Sequence, residues 1–398
     1  MQFLFDNHVL DAERRELRRG SELVALEPQV FDLLVYLLQN RDRVVSKDDM
    51  IAAVWGGRIV SESTLTSRIN AARKAVGDSG EKQRLIRTSA RKGIRFVCAV
   101  TEAAQSSESA TTAAAAPPII LQHEIHFCTT VDGVRLAYAE VGQGPPLVKS
   151  ANWLNHLEYD WQSPVWSPFL HELAKDRRLI RYDERGNGLS DWDVEDISFE
   201  AFVRDLETIV DAINLDRFDM FGISGGCGIA IAYAVRHPER LRRLVLYGGF
   251  ARGSRKRDSQ RQIELVNAAT TLMRHGWGQE NPAFRQMFTS QFIPGGTAEQ
   301  AQWFNDLQRM TTSPENAART MEAIADTDVS NLLPLVQVPT LVLHCRDDAR
   351  VPFEEGRKMA AGIPGAQFVA LEGRNHVILE GDPGWGRFLD EIKTFLRS

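Results

Sequence analysis

The sequence predicts two domains of different fold class: a small α+β domain over residues 1–100 and a larger α/β domain over residues 119–398. One observation is the segment 101–118, which is small and polar, has no large apolar residue and ends in Pro-Pro, as linkers do. The other observation is the order of the predicted strands and helices along the chain. Before this segment strands and helices are grouped by type, and after it they alternate. Alternation predicts a mostly parallel sheet with helices on both faces.

The composition limits the class of protein. Hydrophobic residues make up 43% and charged residues 25% of the 398 residues, as in ordinary globular proteins, which excludes a wholly disordered chain. The four cysteines lie far apart without metal-ligand spacing, so neither a zinc site nor a disulfide framework is predicted. No apolar run approaches the roughly 20 residues that a membrane helix needs. We therefore expect a cytoplasmic protein with no membrane contact, no metal and no cofactor.

The charge is unevenly distributed along the chain. The formal net charge is −6, yet residues 1–100 contain 17 Lys and Arg against 13 Asp and Glu. Within them, residues 61–100 contain nine basic and three acidic residues. A basic region on an acidic chain indicates a polyanionic partner for that region.

The first domain opens with short alternating segments that predict β-strands. A helix is predicted from Pro28, because proline is tolerated in a first turn. A second helix is predicted after Ser46, which with Asp49 resembles a capping box. A third is predicted over about 61–76, and two strands, RLIRTSA and GIRFVCAV, follow it.

The third helix has two unlike faces. Residues on its apolar face follow a 4, 3, 4 spacing, namely Leu65, Ile69, Ala72 and Val76. The other face is short, polar and basic, with Ser63, Ser67, Asn70 and Lys74, and with Thr66 and Arg73 beside it. Such side chains reach base edges and phosphates in a DNA major groove. A solvated helix face is the alternative interpretation.

Residues 1–100 resemble the winged-helix DNA-binding domain of OmpR/PhoB-type regulators. The matching segments are Leu26-Glu27-Pro28, Arg43-Val44-Val45-Ser46-Lys47, Trp55-Gly56, Arg73-Lys74, Arg87-Thr88 and Gly93-Ile94-Arg95-Phe96. In that family the third helix enters the major groove, and the hairpin, or wing, contacts the minor groove or backbone. The resemblance implies double-stranded DNA as a partner, read by a homodimer.

The resemblance also implies roles for individual residues. On the third helix the candidates for DNA recognition are Ser67, Asn70, Arg73 and Lys74. On the wing the candidates for backbone contact are Thr88, Arg91 and Lys92. No receiver domain precedes this region in the sequence, so we expect the signal to enter through the second domain.

Seven strands are predicted in the second domain, at 134–141, 145–149, 178–183, 217–222, 243–247, 339–344 and 367–371. Amphipathic segments at 199–214 and 226–236 lie between them. Residues 248–335 interrupt the alternation and are predicted to form a helical lid over an apolar cavity, with Trp277, Phe284, Phe288, Phe292, Trp303 and Phe304. Four basic residues lie at the entrance of the predicted lid, namely Arg252, Arg255, Lys256 and Arg257. They are interpreted either as a solvated loop or as a contact for an anionic ligand or a DNA backbone.

The segment Gly222-Ile223-Ser224-Gly225-Gly226 lies between a predicted strand and a predicted helix. This is a G-x-S-x-G elbow in the strand–turn–helix context that its chemistry requires. The sharp turn raises the serine Oγ above the sheet, and the helix N-terminus behind it offers N–H groups. The elbow predicts Ser224 as a nucleophile.

An acid and a histidine follow Ser224 in the chain. Asp347 and Asp348 come after one predicted strand, and His376 comes after the next. His376 would accept the serine proton, and a carboxylate would hold its tautomer and stabilise the imidazolium. We favour Asp348 over Asp347 because of the Asp-x-x-Val-Pro spacing. Taken alone, His376 has the alternative interpretation of a loop histidine without a catalytic role. Asp347 and Asp348 have the alternative interpretation of turn residues.

Nearly all of residues 123–398 resemble the α/β-hydrolases, in the elbow, in the Ser-Asp-His order and in the segment 182–190, which is similar to D-x-R-G-x-G-x-S. The resemblance implies a doubly wound, mostly parallel sheet with a helical lid. It also implies a serine hydrolase acting on a carboxylic ester or lactone. By position, the N–H groups of Trp153 and Gly225 would form the oxyanion hole. The chain departs from the usual His-Gly at 150–153, and one oxyanion donor is worth roughly 10²–10³ in rate.

Two functions follow from these domains. The first is a one-component DNA-binding transcriptional regulator, whose hydrolase-like domain senses a small ester-like or lactone-like ligand, with or without hydrolysing it. The second is an active serine esterase or lactonase with a DNA-binding appendage.

Overall fold

The computed structural model describes residues 2–12, 15–20, 22–24, 26, 28–55, 62–79, 82–89, 92–98, 100–103, 123–257 and 259–397. It divides into two compact units, one before and one after the segment 104–122. The first unit contains, in chain order, β1 (Gln2–Phe5), β2 (His8–Asp11), β3 (Glu16–Arg19), β4 (Glu22–Val24), α1 (Pro28–Gln39), α2 (Lys47–Trp55), α3 (Glu62–Ala75), β5 (Ile86–Ser89), β6 (Gly93–Phe96) and β7 (Val100–Ala103).

The first unit is a winged helix, as the sequence predicts. Its antiparallel sheet has the order β4-β3-β2-β1-β7, and β5 and β6 form a separate hairpin. Ser46 caps α2, because its Oγ accepts the Asp49 N–H at 3.1 Å and its own N–H donates to Asp49 at 3.5 Å. The predicted apolar face of α3 is buried in the core with α1.

The prediction that the linker begins at residue 101 is wrong. Residues 100–103 form β7, which pairs with β1 in the register Phe5↔Val100 to Gln2↔Ala103. Composition misses this strand because pairing satisfies backbone N–H and C=O groups and does not require large apolar side chains. The rest of the predicted linker, 104–118, lies outside the described residues.

Asp78, just after α3, joins that helix to the wing. Its Oδ1 accepts the backbone N–H groups of Ser79 at 2.8 Å and Arg84 at 3.0 Å. Its Oδ2 accepts those of Leu85 at 2.8 Å and Ile86 at 2.9 Å. Burial acts to raise the pKa of Asp78, but the four hydrogen bonds outweigh it and hold the pKa below its ordinary value.

The second unit contains fewer residues in strands than in helices. Its elements are β8 (Glu124–Thr129), β9 (Arg135–Val141), β10 (Pro146–Lys149), α4 (Leu157–Trp161), α5 (Ser167–Ala174), β11 (Arg178–Tyr182), α6 (Phe199–Ala212), β12 (Phe218–Ile223), α7 (Gly226–Arg236), β13 (Leu241–Tyr247), α8 (Gln260–Gly276), α9 (Ala283–Phe292), α10 (Ala298–Thr311), α11 (Pro314–Asp326), β14 (Thr340–Cys345), α12 (Phe353–Gly362), β15 (Gln367–Leu371) and α13 (Trp385–Arg397).

The eight strands form one sheet in the order β15-β14-β13-β12-β10-β11-β9-β8. The strands from β15 to β11 in this order are parallel to one another. At the other edge, β9 pairs antiparallel with β11, and β8 pairs antiparallel with β9. Alternate strand residues pack against α5 and α13 on one face and against α6, α7 and α12 on the other. This is the doubly wound α/β fold that the sequence predicts, and its parallel strands end together at one edge of the sheet.

Strand β8 and the helices between β13 and β14 compare differently with the sequence prediction. The sequence analysis does not predict β8, because this edge strand is mostly exposed and lacks an apolar alternation. Helices α8 to α11 lie between β13 and β14, where the lid is predicted. Among the described residues, no helix is both long enough and apolar enough to cross a membrane.

Replacing Asp78 with alanine should destabilise the first unit by about 2–4 kcal/mol, because four backbone N–H groups, two of them buried, lose their acceptor. Hydrogen–deuterium exchange of peptides from 62–98 should accelerate, with peptides from 218–247 as the internal reference. A lowered pKa contributes its full stability above the unfolded value of about 4. The difference from wild type should therefore be full at neutral pH and shrink as pH falls from that value through the lower pKa of folded Asp78. The exposed Asp42→Ala variant should exchange like wild type, and equal exchange in both variants would contradict the role of Asp78.

Candidate functional site

Ser224 lies in the sharp turn between β12 and α7. Its φ of +53° is in the left-handed region, which costs a non-glycine residue roughly 1–2 kcal/mol. The Ser224 N–H donates to the Tyr247 C=O on β13 at 2.9 Å, and the Ser224 C=O accepts the Cys227 N–H at 3.1 Å. These contacts fix the elbow at the carboxyl edge of the parallel strands.

The loop after β10 packs directly on this elbow. The Ser150 N–H donates to the Phe221 C=O at 2.9 Å, and its Oγ donates to the Gly226 C=O at 2.8 Å. A Cβ at Gly226 would lie 2.4 Å from the Ala151 carbonyl oxygen, so only glycine permits this approach. The close contact places Trp153 beside the nucleophile.

The acid loop and the histidine loop run side by side. Three backbone hydrogen bonds join them, from the N–H groups of Arg346, Asp347 and Ala349 to the C=O groups of Leu371, Gly373 and Arg374. The lid holds the histidine loop from the other side, because the N–H groups of His376 and Val377 both donate to the Phe292 C=O, at 2.8 and 3.1 Å.

The structure brings the three predicted catalytic residues together. His376 Nε2 lies 2.8 Å from Ser224 Oγ, and His376 Nδ1 lies 2.8 Å from Asp348 Oδ2. Asp347 is exposed, so Asp348 is the carboxylate that reaches the histidine, as predicted. The arrangement can accept the serine proton and stabilise the imidazolium that results.

Asp348 is held as an ionised acceptor. Its Oδ1 accepts the N–H groups of Arg350 at 2.8 Å and Val351 at 2.9 Å. Burial acts to raise the pKa of Asp348, but the charge and hydrogen bond of His376 outweigh it, so the pKa lies below its ordinary value. His344, which the sequence analysis misses, lies behind the carboxylate, with Nε2 3.5 Å from Asp348 Oδ2 and 3.0 Å from the Val351 C=O.

The two predicted oxyanion donors flank the nucleophile. Gly225 directly follows Ser224 and precedes α7, and Trp153 lines the same cavity as Ser224. Neither backbone N–H donates a hydrogen bond to any residue that the structure describes. An oxyanion hole requires N–H groups that have no partner within the protein.

A cavity of about 70 Å³ opens at Ser224 beneath the lid. Its apolar wall consists of Trp153, Phe250, Phe292, Met321, Ile324, Ala325 and Val351. The Trp153 ring packs against lid aromatics, with centroids 5.5 Å from Trp277 and 5.7 Å from Phe292. Of the predicted lid aromatics, Phe292 lines this cavity, whereas Phe284 is exposed on the surface.

Three polar side chains share the cavity with Ser224, namely Ser254, Arg257 and Arg350. From the basic run at the lid entrance, the structure places Arg257 in the cavity, while Arg255 pairs with Asp326 at 3.1 Å. The sequence analysis misses Arg350 altogether. The signal was its position two residues after Asp348, which puts it at the same sheet edge.

Apart from Arg73, the predicted DNA-binding residues divide into three groups. Lys74 on α3 and Lys92 on the wing are exposed, and so is Asn70, whose Oδ1 accepts Arg73 Nη1 at 3.4 Å. Thr88 is exposed but already accepts a hydrogen bond from Arg73 at 2.8 Å. Arg91 lies outside the described residues, as does the side chain of Ser67 on α3.

Arg73, which the sequence analysis places beside the polar face of α3 as a recognition candidate, is not exposed. Its side chain is buried, and its Nε donates to the Ile86 C=O at 3.1 Å. With the bond to Thr88, it fastens β5 of the wing to α3. Helical periodicity places Arg73 only beside the polar face, and the wing then covers it.

Among the described residues, no group of three or more His, Cys, Asp or Glu side chains is arranged to hold a metal ion. Burial raises the pKa of the Cys227 thiol next to the elbow well above its ordinary value, so this cysteine is a packed core residue.

The comparisons with known proteins agree with this architecture. Residues 157–383 match the family described as alpha/beta hydrolase fold, and residues 20–96 match the family described as transcriptional regulatory protein, C terminal. The chain is 31% identical over 285 residues to a non-heme chloroperoxidase of Kitasatospora aureofaciens, covering 68% of this chain and 99% of that one. It is 28% identical over 264 residues to an AB hydrolase superfamily protein of Bacillus subtilis, covering 63% of this chain and 92% of that one.

Solved structures show the same fold. A thermophilic esterase from Thermogutta terrifontis has a TM-score of 0.57 at 26% identity, over 69% of this chain and 98% of that one. An enol-lactonase from Burkholderia xenovorans has a TM-score of 0.57 at 23% identity, over 69% of this chain and 100% of that one. The chain therefore belongs to the α/β-hydrolase fold family and carries an OmpR/PhoB-type DNA-binding regulatory domain at residues 20–96.

Proposed function

We propose that this protein is a DNA-binding transcriptional regulator whose hydrolase domain binds and hydrolyses a small ester-like or lactone-like ligand. Ser224 is the nucleophile, His376 the general base and Asp348 the acid that orients it. The N–H groups of Trp153 and Gly225 bind the oxyanion. Occupation of the site changes affinity for DNA, which requires that the ligand bind the two states of the protein with different affinity.

The observation that carries the hydrolytic part is the unbroken chain from Ser224 Oγ through His376 to Asp348, with 2.8 Å at each step. In the proposed reaction, Ser224 Oγ attacks the ligand carbonyl while His376 Nε2 takes the hydroxyl proton. His376 then gives that proton to the leaving oxygen. Water releases the acid by the same route and restores the serine.

The regulatory part rests on the fusion itself, because one chain joins a DNA-binding regulatory domain to a hydrolase domain that has a cavity at its candidate nucleophile. In the winged helix, Asn70, Lys74 and Lys92 supply an exposed polar face, with Ser67, Thr88 and Arg91 as further proposed contacts. We propose that a homodimer binds paired half-sites, as helix-turn-helix proteins commonly do. The alternative function, an esterase or lactonase with a DNA-binding appendage, is favoured by the complete triad and predicts DNA binding that is independent of the ligand.

Hydrolysis of 4-nitrophenyl acetate, 4-nitrophenyl butyrate and γ-butyrolactone by the full-length protein tests the triad. Asp348→Asn should lower kcat by about 10⁴-fold, because the histidine loses its orienting carboxylate. Asp347→Asn is the matched control, since it removes the neighbouring, exposed carboxylate, and it should keep wild-type rates. Equal losses in the two variants, or turnover that survives in Ser224→Ala, would refute the assignment.

DNA recognition is tested on a sequence enriched by the full-length protein from a random duplex library. Asn70→Ala should weaken binding by about 1–3 kcal/mol and relax the preference at one base pair. Lys74→Ala should weaken binding to all sequences and reduce the slope of log affinity against log salt by about one. Arg18→Ala removes an exposed charge from β3, outside α3 and the wing, and should bind like wild type. If it weakens binding as much as Lys74→Ala does, the proposed interface is wrong.

A further inference from the structure

The cavity at Ser224 contains two cationic side chains. Arg257 and Arg350 both line it, and they are close enough that the charge of Arg257 acts on Arg350. Each guanidinium lies over an aromatic wall of the cavity, Arg257 at 5.0 Å from the Phe250 centroid and Arg350 at 5.4 Å from the Phe292 centroid. The triad needs neither arginine, since acyl transfer requires a nucleophile, a base and oxyanion donors.

Arg350 is held in place by neutral partners. Its Nη1 donates to Gln291 Oε1 at 2.8 Å, and its Nη2 lies 3.4 Å from the Met321 Sδ. In the part of the chain that the structure describes, no carboxylate forms an ion pair with this guanidinium. Desolvation, and then the charge of Arg257, lower the pKa of Arg350 to about 10. A guanidinium has five N–H donors, so Arg350 retains donors for a ligand.

The carboxylates nearby are already committed. Glu355 lies 3.5 Å from Arg257 Nε, but it also accepts Lys358 Nζ at 3.1 Å. Asp348 is bound by His376 and by the N–H groups of the acid loop. The Lys358 side chain is mostly exposed to solvent, so Arg257 keeps Glu355 as its ion-pair partner. Arg350 lines the cavity without an ion pair to any described carboxylate. Partly buried charges of this kind are costly unless something pairs with them.

We propose that the ligand carries a carboxylate, which Arg350 binds with the help of Arg257 while Ser224 faces the ester or lactone carbonyl. A carboxylate matches the planar fork of a guanidinium, and it would give Arg350 the ion pair that no described carboxylate supplies, in a cavity whose wall is mostly apolar. The small volume favours a short acid, such as a half-ester of a four-carbon dicarboxylic acid. This inference rests on the proposed function for the position of the carbonyl, but the charge preference is measurable without turnover.

Monomethyl succinate and dimethyl succinate are the probes, because they differ by one negative charge at neutral pH. Methanol release by the full-length protein gives kcat/KM for each ester. Calorimetric titration of the inactive Ser224→Ala protein gives binding of the same two esters in the absence of chemistry. Arg350→Gln removes the proposed cation, Arg350→Lys keeps its charge, and Arg346→Gln removes an exposed arginine of the same loop that pairs with Glu372.

We expect the monoanion to be preferred by about tenfold or more, in kcat/KM and in affinity for Ser224→Ala, as one additional charge-assisted hydrogen bond provides. Arg350→Gln should abolish this preference, Arg350→Lys should restore part of it, and Arg346→Gln should leave it intact. Thermal unfolding of each variant verifies that it is folded.

The outcomes separate the two claims. Preferential binding of the monoanion to Ser224→Ala, lost in Arg350→Gln, supports the carboxylate site even if wild type hydrolyses neither ester, in which case only the hydrolytic function fails. Equal or weaker binding of the monoanion, no binding of it at all, or a preference that survives Arg350→Gln overturns the carboxylate site. Hydrolysis of dimethyl succinate can still proceed in that case.

Discussion

The close approach of the elbow to the loop after β10 is the constraint on which the site depends. Ser224 has a left-handed backbone, and Gly226 lies so near Ala151 that a Cβ would occupy the same space as its carbonyl oxygen. The strain of roughly 1–2 kcal/mol persists because the surrounding hydrogen bonds hold the turn in place. This contact positions Ser224 within hydrogen-bond distance of His376 and places Trp153 beside Ser224.

The lid is part of the site as well as its cover. The Phe292 carbonyl accepts both N–H groups at the start of the His376 loop, and the Gly295 N–H donates to Asn375 at 2.7 Å. The position of the histidine therefore depends on the end of α9.

The residues show which features a sequence can predict. The elbow is a local motif, and the order of Ser224, Asp348 and His376 identifies strand ends that a parallel sheet brings to one edge. β7 and β8 escape prediction because edge strands are stabilised by backbone pairing that leaves little apolar pattern. Arg73 is misplaced, and the role of Arg350 is missed, because each depends on contacts with residues distant in sequence, Ile86 and Gln291 among them.

The central claim is that the state of the Ser224 site controls binding to DNA. The most direct measurement is the Kd of one DNA duplex for the full-length protein before and after reaction with a small alkyl fluorophosphonate. In this reaction Ser224 Oγ forms a bond to phosphorus, and fluoride leaves. We predict a mass increase at Ser224 and a change in Kd of about fivefold or more, as allosteric coupling typically gives, and neither effect in Ser224→Ala. Complete modification with an unchanged Kd, or no modification of Ser224 in folded protein, would contradict the account.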